Sequence, residues 1–278
     1  MGRKDLYRLQ ILTIVVICSI LVIYLRAEFT LYSVPFYTPR RTQEKEKSGI
    51  PLILHEYWHS RRMPYHMSKT VEKTIAMNPD FDVYVYSEKE AVEFIQKYFE
   101  PEVLRAYYGL KPTAYRCDLF RYCVLYIKGG IYLDTKMEAL TPLKELIRDS
   151  EPVFLRTDVK WCGDGRGVQN GLIITPPKTE LIRAFIDEIL KAYAEKSHKE
   201  NDLDITGPCM IGRVLNEANM ADKRDNARCV SSEEDGHFVF TCDGTAVARS
   251  YKEYRAEQAT SQKEPSYKEL WKKKDVYW

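Results

Sequence analysis

The sequence predicts an α/β domain built on a largely parallel sheet, and three observations predict it. Short apolar or alternating runs at 51–54, 81–86 and 131–134 have the length and period of strands. Between them lie segments whose apolar residues recur at helical spacing, so strands and helices alternate as they do when crossover helices cover a parallel sheet. The most apolar helical segment, from Thr113, ends at Gly129-Gly130 and turns straight into a strand. Glycine permits a reversal that tight.

The elements follow in order. Pro51-Leu52-Ile53-Leu54 reads as a buried first strand ending at His55-Glu56-Tyr57-Trp58. Met67, Val71 and Ile75 mark a helix stopped by Asn78-Pro79. Phe81 to Tyr86 alternates as a strand. Ser87 and Glu90 form a capping box that opens a helix with Ala91, Phe94, Ile95 and Tyr98 inward. A short helix follows Pro101, and the central helix follows Pro112-Thr113. After the strand 131–134, Thr141-Pro142-Leu143 leads a short helix, and Pro152 to Leu155 is another strand. A polar, Gly-rich loop runs from Thr157 to Val168. Leu172-Ile173-Ile174 is a strand, 181–193 an amphipathic helix, and Gly207-Pro208 a turn before a further helix. From Ala218 the chain is polar with short β-like pieces, notably Phe238-Val239-Phe240.

Ahead of this domain the organisation changes. Residues 1–8 are short and basic, and 9–25 are almost wholly apolar, just long enough to cross a thin bilayer. A signal anchor is the preferred reading over a cleaved signal peptide, because no small-residue cleavage site follows. The Lys/Arg excess before the span places the N-terminus in the cytosol and the remainder in the lumen, a type II topology. Residues 26–49 read as a stem and 50–278 as the folded domain.

Lys plus Arg total 42 against 40 Asp plus Glu, a net charge of +2, so the basic face that nucleic acid requires is not indicated. No Cys-x-x-Cys pair is present, which argues against structural zinc. Cys162, Cys209, Cys229 and Cys242 are available for disulfides in an oxidising lumen, with connectivity open; Cys117 and Cys123 lie on different sides of one helix and cannot pair. There is no Asn-x-Ser/Thr sequon to support secretion from that side.

The chemistry concentrates between Thr113 and Lys136. Asp118 and Arg121, three apart, share a face of an otherwise apolar helix. They read either as a buried ion pair or as a carboxylate for hydroxyl groups beside a guanidinium for an oxyanion. Tyr132, Asp134 and Lys136 share one side of the next strand. Asp134 lies at the carboxyl end of that strand, where open α/β sheets bind ligands, although Asp also ends strands as a plain turn residue.

Arg116-Cys-Asp-Leu-Phe-Arg-Tyr122 and Gly129-Gly-Ile-Tyr-Leu-Asp-Thr-Lys136 together resemble the glycosyltransferases with a DXD sugar-binding region. That group includes the fungal initiating α-1,6-mannosyltransferases and the inositol-phosphoceramide mannosyltransferases, with the clostridial glucosylating toxins as more distant relatives. Ile50-Pro51 through Trp58, Asn78-Pro79-Asp80-Phe81, Val168 to Gly171 and Thr206-Gly207-Pro208 extend the resemblance. It implies a GT-A (Rossmann-like) nucleotide-sugar-binding fold and transfer of a hexose, with retention, to a glycan or glycolipid acceptor in the Golgi or ER. GDP-mannose is the first guess for the donor. On this resemblance Trp58 stacks on the base, Asp118 and Arg121 hold sugar hydroxyls, and Asp134 meets the ribose or a metal. Tyr132, Lys136 and Asn170 also line the donor site, Gly207 and Pro208 border the acceptor, and Asp118, Arg121 and Asp134 are the catalytic set.

One position departs from the pattern. Lys136 stands where the second Asp of Asp-x-Asp would help bind Mn²⁺ or Mg²⁺. Three readings stay open: Asp134 holds a metal with help from a later carboxylate or His237; Lys136 supplies the positive charge itself; or catalysis is lost and the domain only binds nucleotide sugars or glycans. If the domain transfers sugar, Asp134→Asn is expected to lower turnover severely with little unfolding.

Overall fold

The computed structural model describes residues 10–19, 31–42, 49–147, 153–157, 162, 167–218, 229–234, 237–261 and 264–278. Among them is a ten-stranded sheet. Its strands are β2 (Tyr37–Thr38), β3 (Ile53–Tyr57), β5 (Asp82–Tyr86), β6 (Gly130–Leu133), β7 (Met137–Ala139), β8 (Val153–Thr157), β9 (Val168–Thr175), β10 (Cys229–Glu234), β11 (His237–Cys242) and β12 (Thr245–Ser250). The spatial order is β2-β5-β3-β6-β9-β8-β10-β11-β12-β7. β1 (Tyr32–Ser33) pairs separately with β4 (Arg62–Met63).

The sheet is mixed, which corrects the largely parallel expectation. β5, β3 and β6 run parallel, as does the pair β8 and β10; the remaining pairings are antiparallel. The alternation of strand and helix holds only up to β6. Beyond it β9 returns antiparallel, and β10 to β12 form a meander, where the chain supplies turns instead of crossover helices.

Among the described residues of this domain the α-helices are α1 (Tyr65–Met77), α2 (Glu88–Tyr98), α3 (Pro101–Gly109), α4 (Thr113–Lys128), α5 (Glu180–Ala194), α6 (Pro208–Glu217), α7 (Tyr254–Ser261) and α8 (Tyr267–Lys272). The predicted Ser87–Glu90 capping box forms at the start of α2. Asn78 ends α1 with a bond from its amide to the Thr74 carbonyl (2.7 Å), while its side-chain oxygen accepts from Leu143 N (2.7 Å). Glu257 of α7 caps the other end of α1, accepting from His66 N (2.8 Å) and Met67 N (3.1 Å).

Two cores lie on opposite faces of the sheet. Leu119, Phe120, Tyr122 and Val124 of α4 pack with Phe185, Ile186 and Ile189 of α5 on one face. Leu54, Val83, Ile131, Leu133 and Ile174 pack with Met67 and Val71 of α1 on the other. α4 is buried all along one run, from Leu119 to Leu125, and Arg121 lies within it.

The described part of the expected stem, 31–42, is built into the fold. Val34 is buried, β2 pairs with β5, and Arg40 and Tyr37 both bind Asp82. Residues 10–19 are helical with apolar side chains exposed, and among the described residues no helix is long and apolar enough to cross a membrane. The remainder of the expected span 9–25, and much of the Gly-rich loop 157–168, lie outside the described residues. The four predicted cysteines pair as Cys162–Cys209 and Cys229–Cys242.

The turn from α4 to β6 is sterically closed. Gly129 has φ +64° and Gly130 φ +95°. A Cβ on Gly130 would run into the Ile53 carbonyl oxygen. His55 Nε2 bonds the Gly129 carbonyl at 2.9 Å, and the Tyr86 hydroxyl lies 3.3 Å from its Nδ1. Gly130→Ala is therefore expected to cost about 3 kcal/mol or more, the range for strained backbone plus a core clash. Gly49→Ala, at φ +70° but facing open space, should cost only about 1 kcal/mol. Urea denaturation of the two variants tests the contrast.

Candidate active site

Four charged side chains meet at the carboxyl end of β6. α4 delivers Asp118 and Arg121, Asp134 directly follows β6, and the turn into β7 delivers Lys136. Their order in space alternates in sign. Arg121 Nη2 is 3.2 Å from Asp118 Oδ1 and 2.9 Å from Asp134 Oδ1, and Lys136 Nζ is 3.1 Å from Asp134 Oδ2. Arg121 Nη1 also donates to the Asn170 carbonyl. The guanidinium lies over the Tyr132 ring, 4.5 Å from its centre.

A second ring of groups fixes Asp118. Asn170 of β9 donates from Nδ2 to Asp118 Oδ1 (2.9 Å) and to the Tyr122 hydroxyl (3.1 Å). Thr206 donates from Oγ1 to Asp118 Oδ2 at 2.7 Å, and Tyr122 in turn bonds the Thr206 carbonyl at 2.9 Å. The turn at Asp134 is pinned by Asp134 N to the Gly171 carbonyl (2.8 Å), and a Cβ at Gly171 would press within 3.1 Å of Asp134 Oδ2. Glycine there leaves the carboxylate its place.

Electrostatics follow from this packing. Burial pushes Asp118 up to about 6, partly offset by Arg121 and the Thr206 bond. Burial also works against ionised Asp134, but Arg121 and Lys136 outweigh it and hold this carboxyl below its usual range. Burial opposes the charge on Lys136, and Asp134 more than compensates, so the ammonium is held more firmly protonated than usual.

The structure brings Asp118, Arg121, Asp134, Lys136 and Asn170 together, with Gly207 close by: a Cβ there would lie 3.7 Å from Asp118 Oδ2. Pro208 is the first residue of α6. Trp58 follows β3, at the same end of the parallel strands; its indole N–H donates to the Arg62 carbonyl (3.2 Å) and its ring lies 4.5 Å from His59. Tyr132, expected to line the donor site, is fully buried beneath the Arg121 guanidinium, with its hydroxyl 3.2 Å from Cys117 Sγ.

Two contributors were not assigned roles from sequence. Thr206 is the first, and only folding shows that its hydroxyl reaches α4 from 88 residues away. Glu56 is the second. It is fully buried in β3, neither carboxylate oxygen has a hydrogen-bond partner, and burial, with Asp134 nearby, pushes it up to about 8. An acid on a strand otherwise read as buried was the available signal.

A divalent ion fits these residues poorly. Mn²⁺ and Mg²⁺ take several oxygen ligands, whereas the two oxygens of Asp134 already face Arg121 and Lys136. Among the described residues no group of three or more His, Cys, Asp or Glu side chains could hold a metal, His237 included. Asp134, expected to ligate a metal, pairs here with a cation through each oxygen, Arg121 on Oδ1 and Lys136 on Oδ2.

A mixed α/β fold with an acid–base cluster at strand carboxyl ends defines a polar-ligand site of the kind such sheets carry. Residues 64–153 match the family described as glycosyltransferase sugar-binding region containing DXD motif. The matched segment includes Asp118, Arg121, Asp134 and Lys136. Mannosyl phosphorylinositol ceramide synthase SUR1 of Saccharomyces cerevisiae is 27% identical over 116 residues, 40% of this chain and 30% of that protein. The initiation-specific alpha-1,6-mannosyltransferase of Candida albicans is 33% identical over 79 residues, 28% of this chain and 20% of that protein. The chain thus spans a third or less of the length of these two relatives. A solved chain titled PaToxG Glycosyltransferase aligns at TM-score 0.49 and 18% identity, over 61% of this chain and 70% of that one.

Glu56 generates a pH prediction. Its ordinary value is 4.5 and its folded value about 8. Between these, the folded state keeps a proton that the unfolded state has released, so stability falls as pH rises, by up to about 1.4 kcal/mol per unit. His55, pushed by burial down to about 3, acts oppositely: stability falls as pH drops below its ordinary 6.5. Glu56→Gln should therefore match the parent near pH 4 and be the more stable protein at pH 8. Denaturation midpoints across pH check this; an unchanged slope above pH 6.5 would contradict it.

Proposed function

We propose that the protein is a retaining glycosyltransferase of GT-A type. It moves a hexose, with mannose from GDP-mannose as the first donor to test, onto a glycan or glycolipid acceptor. The observation that carries this is the convergence of Asp118, Arg121, Asp134 and Lys136 inside the matched sugar-binding segment. The activities for which the relatives are named, transfer of mannose in α-1,6 linkage and mannosylation of phosphorylinositol ceramide, support mannose and a lipid or glycan acceptor.

The bond from the anomeric carbon to the diphosphate oxygen breaks, and the acceptor oxygen bonds that carbon on the same face. The acceptor proton passes to the departing diphosphate. The protein's own part is positioning and electrostatic support. Asp118, oriented by Asn170 and Thr206, accepts sugar hydroxyls. Arg121 and Lys136 set the positive potential that the leaving group meets. Trp58 offers a ring for the base, and Gly207-Pro208 borders the acceptor.

A lumenal, type II arrangement in the Golgi or ER completes the reading. The two disulfides favour an oxidising compartment. The exposed apolar side chains of 10–19 support an anchor over 9–25. A domain at 50–278 extended by 31–42 would then face the lumen.

Incubating the full chain with GDP-mannose, UDP-glucose, UDP-galactose and UDP-N-acetylglucosamine tests the proposal through donor consumption. Binding without turnover would make it a nucleotide-sugar-binding protein instead. Asp134→Asn is expected to lower turnover by about 100-fold or more, as losing a preorganised charge does. It also leaves Arg121 and Lys136 poorly compensated, so a stability cost of about 3 kcal/mol accompanies it. The earlier expectation of little unfolding is thereby revised. Activity must be read at a temperature where circular dichroism shows the variant folded; full turnover there would remove Asp134 from the mechanism.

A further inference from the structure

We infer that this chain recognises the diphosphate of its donor without a divalent cation, the Lys136 ammonium standing where a metal would otherwise sit. The inference rests on the nucleotide-sugar reading and adds to it a mode of anion recognition.

Charge balance is the first argument. Two carboxylates, Asp118 and Asp134, face two cations, Arg121 and Lys136, so the cluster is neutral in itself. Aspartate at position 136 would leave three acids against one cation, an excess of two negative charges that one divalent ion offsets. Lysine there does the electrostatic work of both the aspartate and the ion.

Position is the second argument. The side chain of Lys136 is 30% exposed, against 4% for Arg121, 14% for Asp118 and 15% for Asp134. It is thus the member of the cluster an arriving anion meets first. Its ammonium is held from one side by Asp134 Oδ2 at 3.1 Å. The rings of Phe238 and Tyr254, centred 5.8 and 6.0 Å away, flank it. Its backbone carbonyl is fixed by Tyr251 N at 3.1 Å. A lysine so restrained loses little freedom when a phosphate oxygen binds, and an ammonium is a competent point charge for phosphate.

Ligand supply is the third argument. Both oxygens of Asp134 already face a cation, Arg121 on Oδ1 and Lys136 on Oδ2, so a metal ion approaching this carboxylate would meet two positive charges before it met a free acid.

The test is calorimetric titration of the full chain with GDP and with UDP, in EDTA and again in MnCl₂. The dissociation constant of the nucleotide that binds should agree between the two buffers to within about twofold. Lys136→Met should weaken binding by about tenfold or more in both, the scale of a lost charge-assisted contact. Lys136→Arg, which keeps the charge if the methionine variant folds poorly, should still bind in EDTA. Lys136→Asp should bind weakly in EDTA and recover with Mn²⁺, and it should deplete the electron paramagnetic resonance signal of free Mn²⁺ where the parent does not. A parent that binds nucleotide only with Mn²⁺ overturns the inference and leaves the nucleotide-sugar reading standing. Failure to bind either nucleotide in both buffers overturns both.

Discussion

The buried chain of alternating charges, Asp118 to Arg121 to Asp134 to Lys136, is the constraint to which the rest of the site is fitted. Each ion would be costly alone in a core of this kind, where unpaired charge is penalised by several kcal/mol. Paired end to end, each neighbour removes the penalty of the next. The arrangement demands that one helix and one strand meet at a fixed angle and depth. Arg121 must reach Asp134 across the face of Tyr132, and Asp134 must still be within reach of the loop that bears Lys136.

The junction between α4 and β6 satisfies that demand. Gly129 and Gly130 turn the chain in conformations that other residues rarely adopt, and the close approach of Ile53 leaves no space for a side chain. Neutral His55 then locks the turn from β3. A second layer repeats the logic for Asp118. Asn170 and Thr206 bring β9 and the segment before α6 onto one carboxylate, and the Tyr122 hydroxyl ties those two residues together, so the late part of the chain closes the site. The salt bridges of Arg213 with Asp204 and Glu188, and the Cys162–Cys209 disulfide, hold that segment in place.

Much of this was legible beforehand because local rules wrote it. Ser87 with Glu90, Asn78 after a helical run, and Pro208 after Gly207 are end signals whose effect acts within a few residues. Asp118 and Arg121 stood out because charge on an apolar helix is costly wherever the helix goes. The sheet's direction beyond β6 was not legible, since parallel and antiparallel neighbours present the same alternation along one strand. Residues 31–42 read as a stem because their short strands have no periodicity of their own; pairing with β5 and the Asp82 contacts gives them order.

By itself the sequence determined that an apolar helix and a strand tip would carry acids and bases, that a glycine pair would join them, and that a lysine lies two residues beyond Asp134. Tertiary structure alone decided what those groups do to one another. It set Lys136 against Asp134, buried Tyr132 beneath Arg121, recruited Thr206, and left Glu56 without a partner. The physical reason is range. Caps, turns and periodicity are fixed by neighbours along the chain, whereas ion pairing, desolvation and the space left for a ligand depend on distances between segments that only the folded core establishes.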